Sequence, residues 1–186
     1  ENDGALLLFM ARGAIGRWSD GKLTTIVECI PEEADSRFND VIADPAGRVF
    51  CGTMSAPSHP GSLYRLDHDG TLTVMLEGIG CSNGMAFSLD SREMYYTDSE
   101  ACEIYVFDYD RAHGALMNKR LFVKISKEDG FPDGATIDSE GFLWSAIWDG
   151  SCVIRYAPDG KEERRVIIPA KKVSSLTFGG DAYSDI

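Results

Sequence analysis

The feature that most constrains what this chain can fold into is a turn that recurs at a nearly fixed distance. Aspartate-containing turns separate short apolar runs at Ser19-Asp20-Gly21, Asp44-Pro45-Ala46-Gly47, Asp67-His68-Asp69-Gly70, Leu89-Asp90-Ser91, Asp108-Tyr109-Asp110, Asp138-Ser139-Glu140-Gly141 and Pro158-Asp159-Gly160. They form two interleaved series. Asp44, Asp90 and Asp138 are 46 and 48 residues apart, and Asp20, Asp69, Asp110 and Asp159 are 49, 41 and 49 apart. The runs between them, such as Arg48-Val49-Phe50-Cys51, Met94-Tyr95-Tyr96-Thr97 and Phe142-Leu143-Trp144-Ser145, are rich in β-branched and aromatic residues and read as hairpin strands. Two hairpins per period make a four-stranded antiparallel unit, and such a unit repeating every 40–50 residues or so is the mark of a β-propeller blade. No helical period competes with it.

The two series differ in what flanks them. The Asp44, Asp90 and Asp138 series is led by the small apolar strands Val41-Ile42-Ala43, Met85-Ala86-Phe87 and Ala135-Thr136-Ile137, which suit the crowded inner side of a blade. The other series leads into charged strands such as Lys161 to Arg165, which suit an outer edge. This predicts three full blades from Asn39 to about Leu176, with partial ones on either side. The expectation is therefore an all-β chain, residues 1–186 as one incomplete propeller domain lacking one or more N-terminal blades and its C-terminal end.

Composition narrows the function. With 44% hydrophobic residues and a net charge of −12, the chain has the makeup of a globular domain and lacks the clustered Lys and Arg that nucleic acid or an anionic membrane would require. No apolar run approaches the roughly 20 residues of a membrane helix. The five cysteines are widely spaced with no C-x-x-C pair, which fits a reducing cytoplasm better than a disulfide framework or a zinc knuckle. His59, His68 and His113 lie in turn or loop segments without ligand spacing and read as exposed. P-loop and H-E-x-x-H motifs do not occur.

Aligning the inner hairpins on their turns places Asn39, Asn83 and Asp133 in one register, ahead of the inner strand. Equivalent residues of successive blades are related by rotation about the propeller axis, so the three oxygen-bearing side chains converge at one mouth of the channel. Such a set suits a hard divalent cation. Tight Asn-Gly and Asp-Gly turns are the alternative explanation of any one of them. Arg37, two residues before Asn39, is either a solvated surface group or a planar fork for a substrate oxygen or carboxylate.

At these residues the chain resembles the senescence marker protein, regucalcin and gluconolactonase family of six-bladed propellers. The resemblance is carried by Arg37-Phe38-Asn39-Asp40, Asp44-Pro45-Ala46-Gly47-Arg48, Gly52-Thr53-Met54, Gly61-Ser62-Leu63-Tyr64, Ser82-Asn83-Gly84-Met85-Ala86-Phe87-Ser88, Tyr95-Tyr96-Thr97-Asp98-Ser99, Pro132-Asp133-Gly134, Glu140-Gly141-Phe142-Leu143-Trp144 and Phe178-Gly179-Gly180. It implies a sugar-lactone hydrolase with one divalent metal, Ca²⁺ or alternatively Zn²⁺, held by a Glu, an Asn and an Asp. The last two match Asn83 and Asp133, with Asp133 also the general base. Arg37 and Asn39 match the family's substrate contacts. The Glu ligand has no counterpart here, since neither Glu1 nor Glu28 stands in a matching context, and Ser55 to Pro60 lacks the acid that some members carry on a lid loop. The partner implied is a small sugar lactone. A calcium-binding propeller without turnover is the alternative.

Overall fold

The computed structural model describes residues 3–186, so Glu1 lies outside the described residues. The described residues form fifteen strands, β1 (Leu6–Phe9), β2 (Ile15–Ser19), β3 (Lys22–Val27), β4 (Phe38–Ala43), β5 (Val49–Thr53), β6 (Gly61–Leu66), β7 (Leu72–Ile79), β8 (Ser82–Phe87), β9 (Glu93–Asp98), β10 (Glu103–Asp110), β11 (Ala115–Lys124), β12 (Phe131–Ile137), β13 (Leu143–Trp148), β14 (Cys152–Tyr156) and β15 (Glu162–Ile167). The only helical element among them is one 3-10 turn, Pro31–Glu33. None of it is long and apolar enough to cross a membrane.

The strands build a three-stranded sheet, β1-β2-β3, and three four-stranded sheets in the orders β4-β5-β6-β7, β11-β10-β9-β8 and β12-β13-β14-β15. Neighbours in each sheet follow one another in the chain, as in a propeller blade. The two turn series separate as expected. Asp44, Asp90 and Asp138 lie between the first and second strands of the four-stranded sheets, and Asp69, Asp110 and Asp159 between or beside the third and fourth. Asp20 and Gly21 close β2 onto β3 as a two-residue turn with both φ positive (52° and 74°), the geometry that matches strand twist and that Asp-Gly favours. The expected run to Leu176 is shorter: β15 ends at Ile167, and the Phe178-Gly179-Gly180 segment forms only an isolated bridge from Gly179 to Asp185.

The chain divides into two compact units, one holding the residues up to Ala43 with Gly47–Ser82, the other Asp44–Ala46 with Asn83–Ile186. In the first, Ile15, Ile30, Phe38, Cys51, Tyr64 and Leu66 form the core, with Phe9 edge-on to Phe38 at 5.4 Å. The fully buried Glu33 sits beside it. Its Oε1 accepts from the Tyr64 hydroxyl at 2.8 Å and Thr53 Oγ1 at 2.9 Å, while Oε2 has no hydrogen-bond partner. Burial and the Glu33 contact push the Tyr64 phenol up.

In the second unit, Ala86, Tyr95, Ile104, Leu143, Ile147, Ile154 and Tyr156 pack the β8–β11 sheet on the β12–β15 sheet. Trp144, Ala146, Val153 and Val173 form a further cluster with Ile168, Leu176 and Phe178. The fourth strands carry the exposure, β15 at all six positions. All five cysteines are free, with Cys29 exposed and the others buried.

The Asp138 turn is tied to its own sheet. Oδ1 accepts from the Glu140 and Phe142 amides, and Oδ2 from Trp144 Nε1 at 2.9 Å and Arg155 Nε at 2.7 Å. Arg155 is 7% exposed, stacks over the Phe142 ring and also pairs with Glu140 and Glu163. Burial alone would raise the Asp138 carboxyl. The bonds from Trp144, Phe142 and Arg155 outweigh it and hold the group below the usual carboxylate range. Its stabilising contribution is thus present above the unfolded aspartate value and lost as pH falls through the depressed folded one. Arg155→Met should cost about 1–3 kcal/mol at pH 7, because it takes the charged donor from the half-buried Asp138 carboxylate. In urea unfolding the gap from the parent should narrow as Asp138 protonates; equal stability at pH 7 would contradict the assignment.

Candidate functional site

Asn39 and Asp133 sit where ladders are interrupted. In β4, Phe38 pairs with Thr53 and Val41 with Cys51, so Asn39 and Asp40 together face Gly52. In β12, Pro132 pairs with Ile147 and Ala135 with Ser145, so Asp133 and Gly134 together face Ala146. Both are β-bulges, which insert a residue and re-aim side chains at the end of a strand. These dipeptides are therefore not hairpin turns, and the tight-turn explanation falls for Asn39 and Asp133. Asn83 and Gly84 are likewise inside a strand, β8.

In the first unit, Arg37 and Asn39 form a fixed pair. Arg37 Nη1 donates to Asn39 Oδ1 and to the Phe38 carbonyl, both at 2.9 Å. Asn39 Nδ2 in turn donates to the Ser82 carbonyl at 2.9 Å and reaches Cys81 Sγ at 3.6 Å. The carboxamide is oriented at both ends, and the exposed guanidinium retains further N–H donors for an oxygen-rich ligand. Asp40 beside it is half-buried. Burial pushes its carboxyl up, against a lowering bond from the Val41 amide.

In the second unit, the strands bearing Asn83 and Asp133 meet at close range. A Cβ added to Gly84 would lie 2.3 Å from the Asp133 carbonyl oxygen and 2.8 Å from Thr97 Oγ1. Only glycine admits that approach, because β8 and β12 meet here backbone to backbone. The Asn83 carboxamide is set by Ser99: Nδ2 donates to Ser99 Oγ at 2.9 Å, and Ser99 Oγ donates to the Pro132 carbonyl at 2.5 Å. Ligation by Asn83 would therefore go through Oδ1. Beyond Asp133, Gly134 N donates to the Ser174 carbonyl at 2.9 Å.

Asn83 and half-buried Asp133 are oxygen donors of the kind a hard cation takes, and they lie on neighbouring strands. They fit as part of a ligand set. Among the described residues no group of three or more His, Cys, Asp and Glu could hold a metal.

Two site residues escaped the sequence reading. Ser99 closes the run Tyr95 to Ser99, but the role of its hydroxyl emerges only from the contact with Pro132. Ser174 precedes Phe178 by the four residues that separate Asn83 from Phe87, so the repeat did contain the signal. One histidine departs from expectation. His68 and His113 are exposed, whereas His59 is half-buried, its Nδ1 2.7 Å from the Pro60 carbonyl and its Nε2 buried, because the Ala56–His59 bridge folds the loop back on itself.

Gly84→Ala should destabilise the protein by about 1–3 kcal/mol, since the obstacle is backbone. Gly179→Ala, where a Cβ meets nothing within 4 Å, should stay within about 0.5 kcal/mol. Thermal melting of the two variants checks the contrast; matching losses would show that β8 and β12 can separate freely.

The chain matches the SMP-30/Gluconolactonase/LRE-like region family over residues 1–186. It is 47% identical over 180 residues to pentonolactonase XacC of Haloferax volcanii, covering 97% of this chain and 61% of that protein. To regucalcin of Danio rerio it is 41% identical, covering 94% and 61% respectively. The solved structure of regucalcin from Agrobacterium tumefaciens, described as a calcium-binding protein, superposes with a TM-score of 0.88 at 26% identity, over 97% of this chain and 62% of that one. The chain thus spans about 61% of the length of these curated relatives. With the blade-type sheets, the bulged Asn-Asp and Asp-Gly positions and a match over its whole length, the chain belongs to the SMP-30/gluconolactonase/LRE-like family.

Proposed function

We propose that the protein carrying this chain opens sugar lactones by hydrolysis, with Asn83 and Asp133 among the ligands of one divalent cation, Ca²⁺ first and Zn²⁺ as the alternative. The observation that carries the reading is the close meeting of β8 and β12. It places an oriented carboxamide and a bulge-borne carboxylate on adjacent strands, in a chain 47% identical to a protein named a pentonolactonase.

Asn83 and Asp133 would help to hold the cation, which when bound would supply Lewis-acid polarisation of the lactone carbonyl and lower the cost of negative charge on its oxygen. Asp133 takes a proton from the attacking water as its oxygen bonds to the carbonyl carbon. When the ring C–O bond breaks, Asp133 returns that proton to the departing alkoxide, giving the open hydroxy acid. Asn83 keeps its Oδ1 presented because Ser99 accepts from its nitrogen. Arg37 and Asn39 are assigned to the sugar's oxygens, Arg37 through its donor-rich planar fork. The chain's acidic balance suits a neutral sugar lactone and gives no support to nucleic acid or membrane as a partner; a cytoplasmic setting agrees with its five free cysteines.

The test is opening of D-glucono-lactone, above its spontaneous rate, by the full-length protein with and without a chelator. Chelation should abolish the enzymatic rate and Asp133→Ala should lower it by roughly 10²–10⁴-fold. Undiminished activity in either case refutes the mechanism. The 41% identity to a regucalcin favours a second reading, a cation-binding propeller without turnover. A protein that binds Ca²⁺ yet leaves a panel of lactones untouched would establish that reading instead.

A further inference from the structure

One buried hydroxyl joins the Asn83 carboxamide to the strand that carries Asp133. Ser99 is 8% exposed and follows the last residue of β9, Asp98. It accepts from Asn83 Nδ2 at 2.9 Å on β8, and it donates to the Pro132 carbonyl at 2.5 Å on β12, one residue before Asp133. A hydroxyl has one proton to give. With that proton on Pro132, the oxygen can meet Asn83 only as an acceptor, so the group facing it must be the NH₂ end of the carboxamide. The arrangement is directional. It decides which end of Asn83 is turned toward Ser99, and it pins the start of the Asp133 bulge to the same point.

We infer that Ser99 is a positioning residue for the cation site, fixing the orientation of Asn83 and the placement of Asp133 together through one hydroxyl. The inference rests on the reading of Asn83 and Asp133 as ligands. Without the Ser99 oxygen the carboxamide loses the bond that turns its NH₂ group away from a cation, and the bulge loses a tether one residue before the carboxylate. Groups that orient metal ligands from behind typically govern affinity by about 10–100-fold. Alanine at 99 removes both hydrogen bonds; threonine keeps a hydroxyl on the same carbon.

The experiment is calorimetric titration of the full-length protein with Ca²⁺ alone, with the chelator-treated melting temperature recorded for each variant. Ser99→Ala should weaken Ca²⁺ binding by about 10–100-fold with one site per chain retained, and Ser99→Thr should restore most of the loss. In an Asn83→Ala background, Ser99→Ala should cost markedly less than it does alone, because much of its effect passes through a side chain already gone. That non-additivity is a readout that a general loosening of the fold would not produce.

Unchanged affinity in Ser99→Ala, or full additivity with Asn83→Ala, overturns the inference. Should Ser99→Ala fail to fold without cation, Ser99→Thr and Ser99→Cys decide: a hydroxyl that binds no better than the weakly donating thiol overturns it as well. The reading beneath is tested separately by Asp133→Asn and Asn83→Ala. If these bind Ca²⁺ like the parent, or if the parent binds none, the ligand assignment fails and the inference with it. If they lose binding while Ser99→Ala keeps it, only the role of Ser99 falls.

Discussion

A sheet of four short strands cannot shelter its own faces, and within each unit of this chain one sheet finds cover in the other. In the second unit Tyr95 and Ile104 of one sheet share a core with Leu143 and Ile154 of the other, and in the first Phe9 and Ile15 share one with Phe38 and Tyr64. Burial of such side chains stabilises by roughly 1.5–3 kcal/mol each. The consequence for function is steric. Sheets pressed together this closely leave no room for a side chain where their first strands meet, so Gly84 is dictated by packing. Its neighbour Asn83 is then held at a seam between two sheets, which is where a ligand group gains most from rigidity.

Much of this could be read from the residues. The aspartates at the turns are there because a short carboxylate satisfies the amides of a reversing chain, as Asp138 does for Glu140 and Phe142. Their spacing therefore reports blade length directly. The register that aligns Asn39, Asn83 and Asp133 counts from those same turns. The bulges stayed hidden. Whether Asn39-Asp40 and Asp133-Gly134 make turns or bulges is decided by the partner strand's pairing, and no local pattern records it. Tethers between strands were equally invisible, since the Ser99 hydroxyl acts on residues 16 and 33 positions away. The segment around Phe178 repeats the pattern of Phe87 without its strand, because pattern alone supplies no ladder partner.

The two carboxamides of the register are fixed in different ways. Asn39 is caught between a guanidinium donor and a backbone acceptor, so both of its polar ends are committed. Asn83 is held by its nitrogen on a hydroxyl. Asn39 thus supports an arginine through its oxygen, whereas the nitrogen of Asn83 ties it to the serine that also holds the Pro132 carbonyl.

The Asn83-Gly84 pair also has a chemical history to contend with. In a loose chain an asparagine followed by glycine ages readily: the glycine nitrogen attacks the side-chain carbonyl, ammonia leaves, and the ring that forms reopens to aspartate or to a backbone lengthened by one carbon. Here the same sequence lies inside an extended strand, and its amide nitrogen is engaged by Ser99. Strand geometry keeps the attacking nitrogen away from its target. The fold therefore protects the covalent integrity of this dipeptide, and every excursion to an open form exposes it to an irreversible loss.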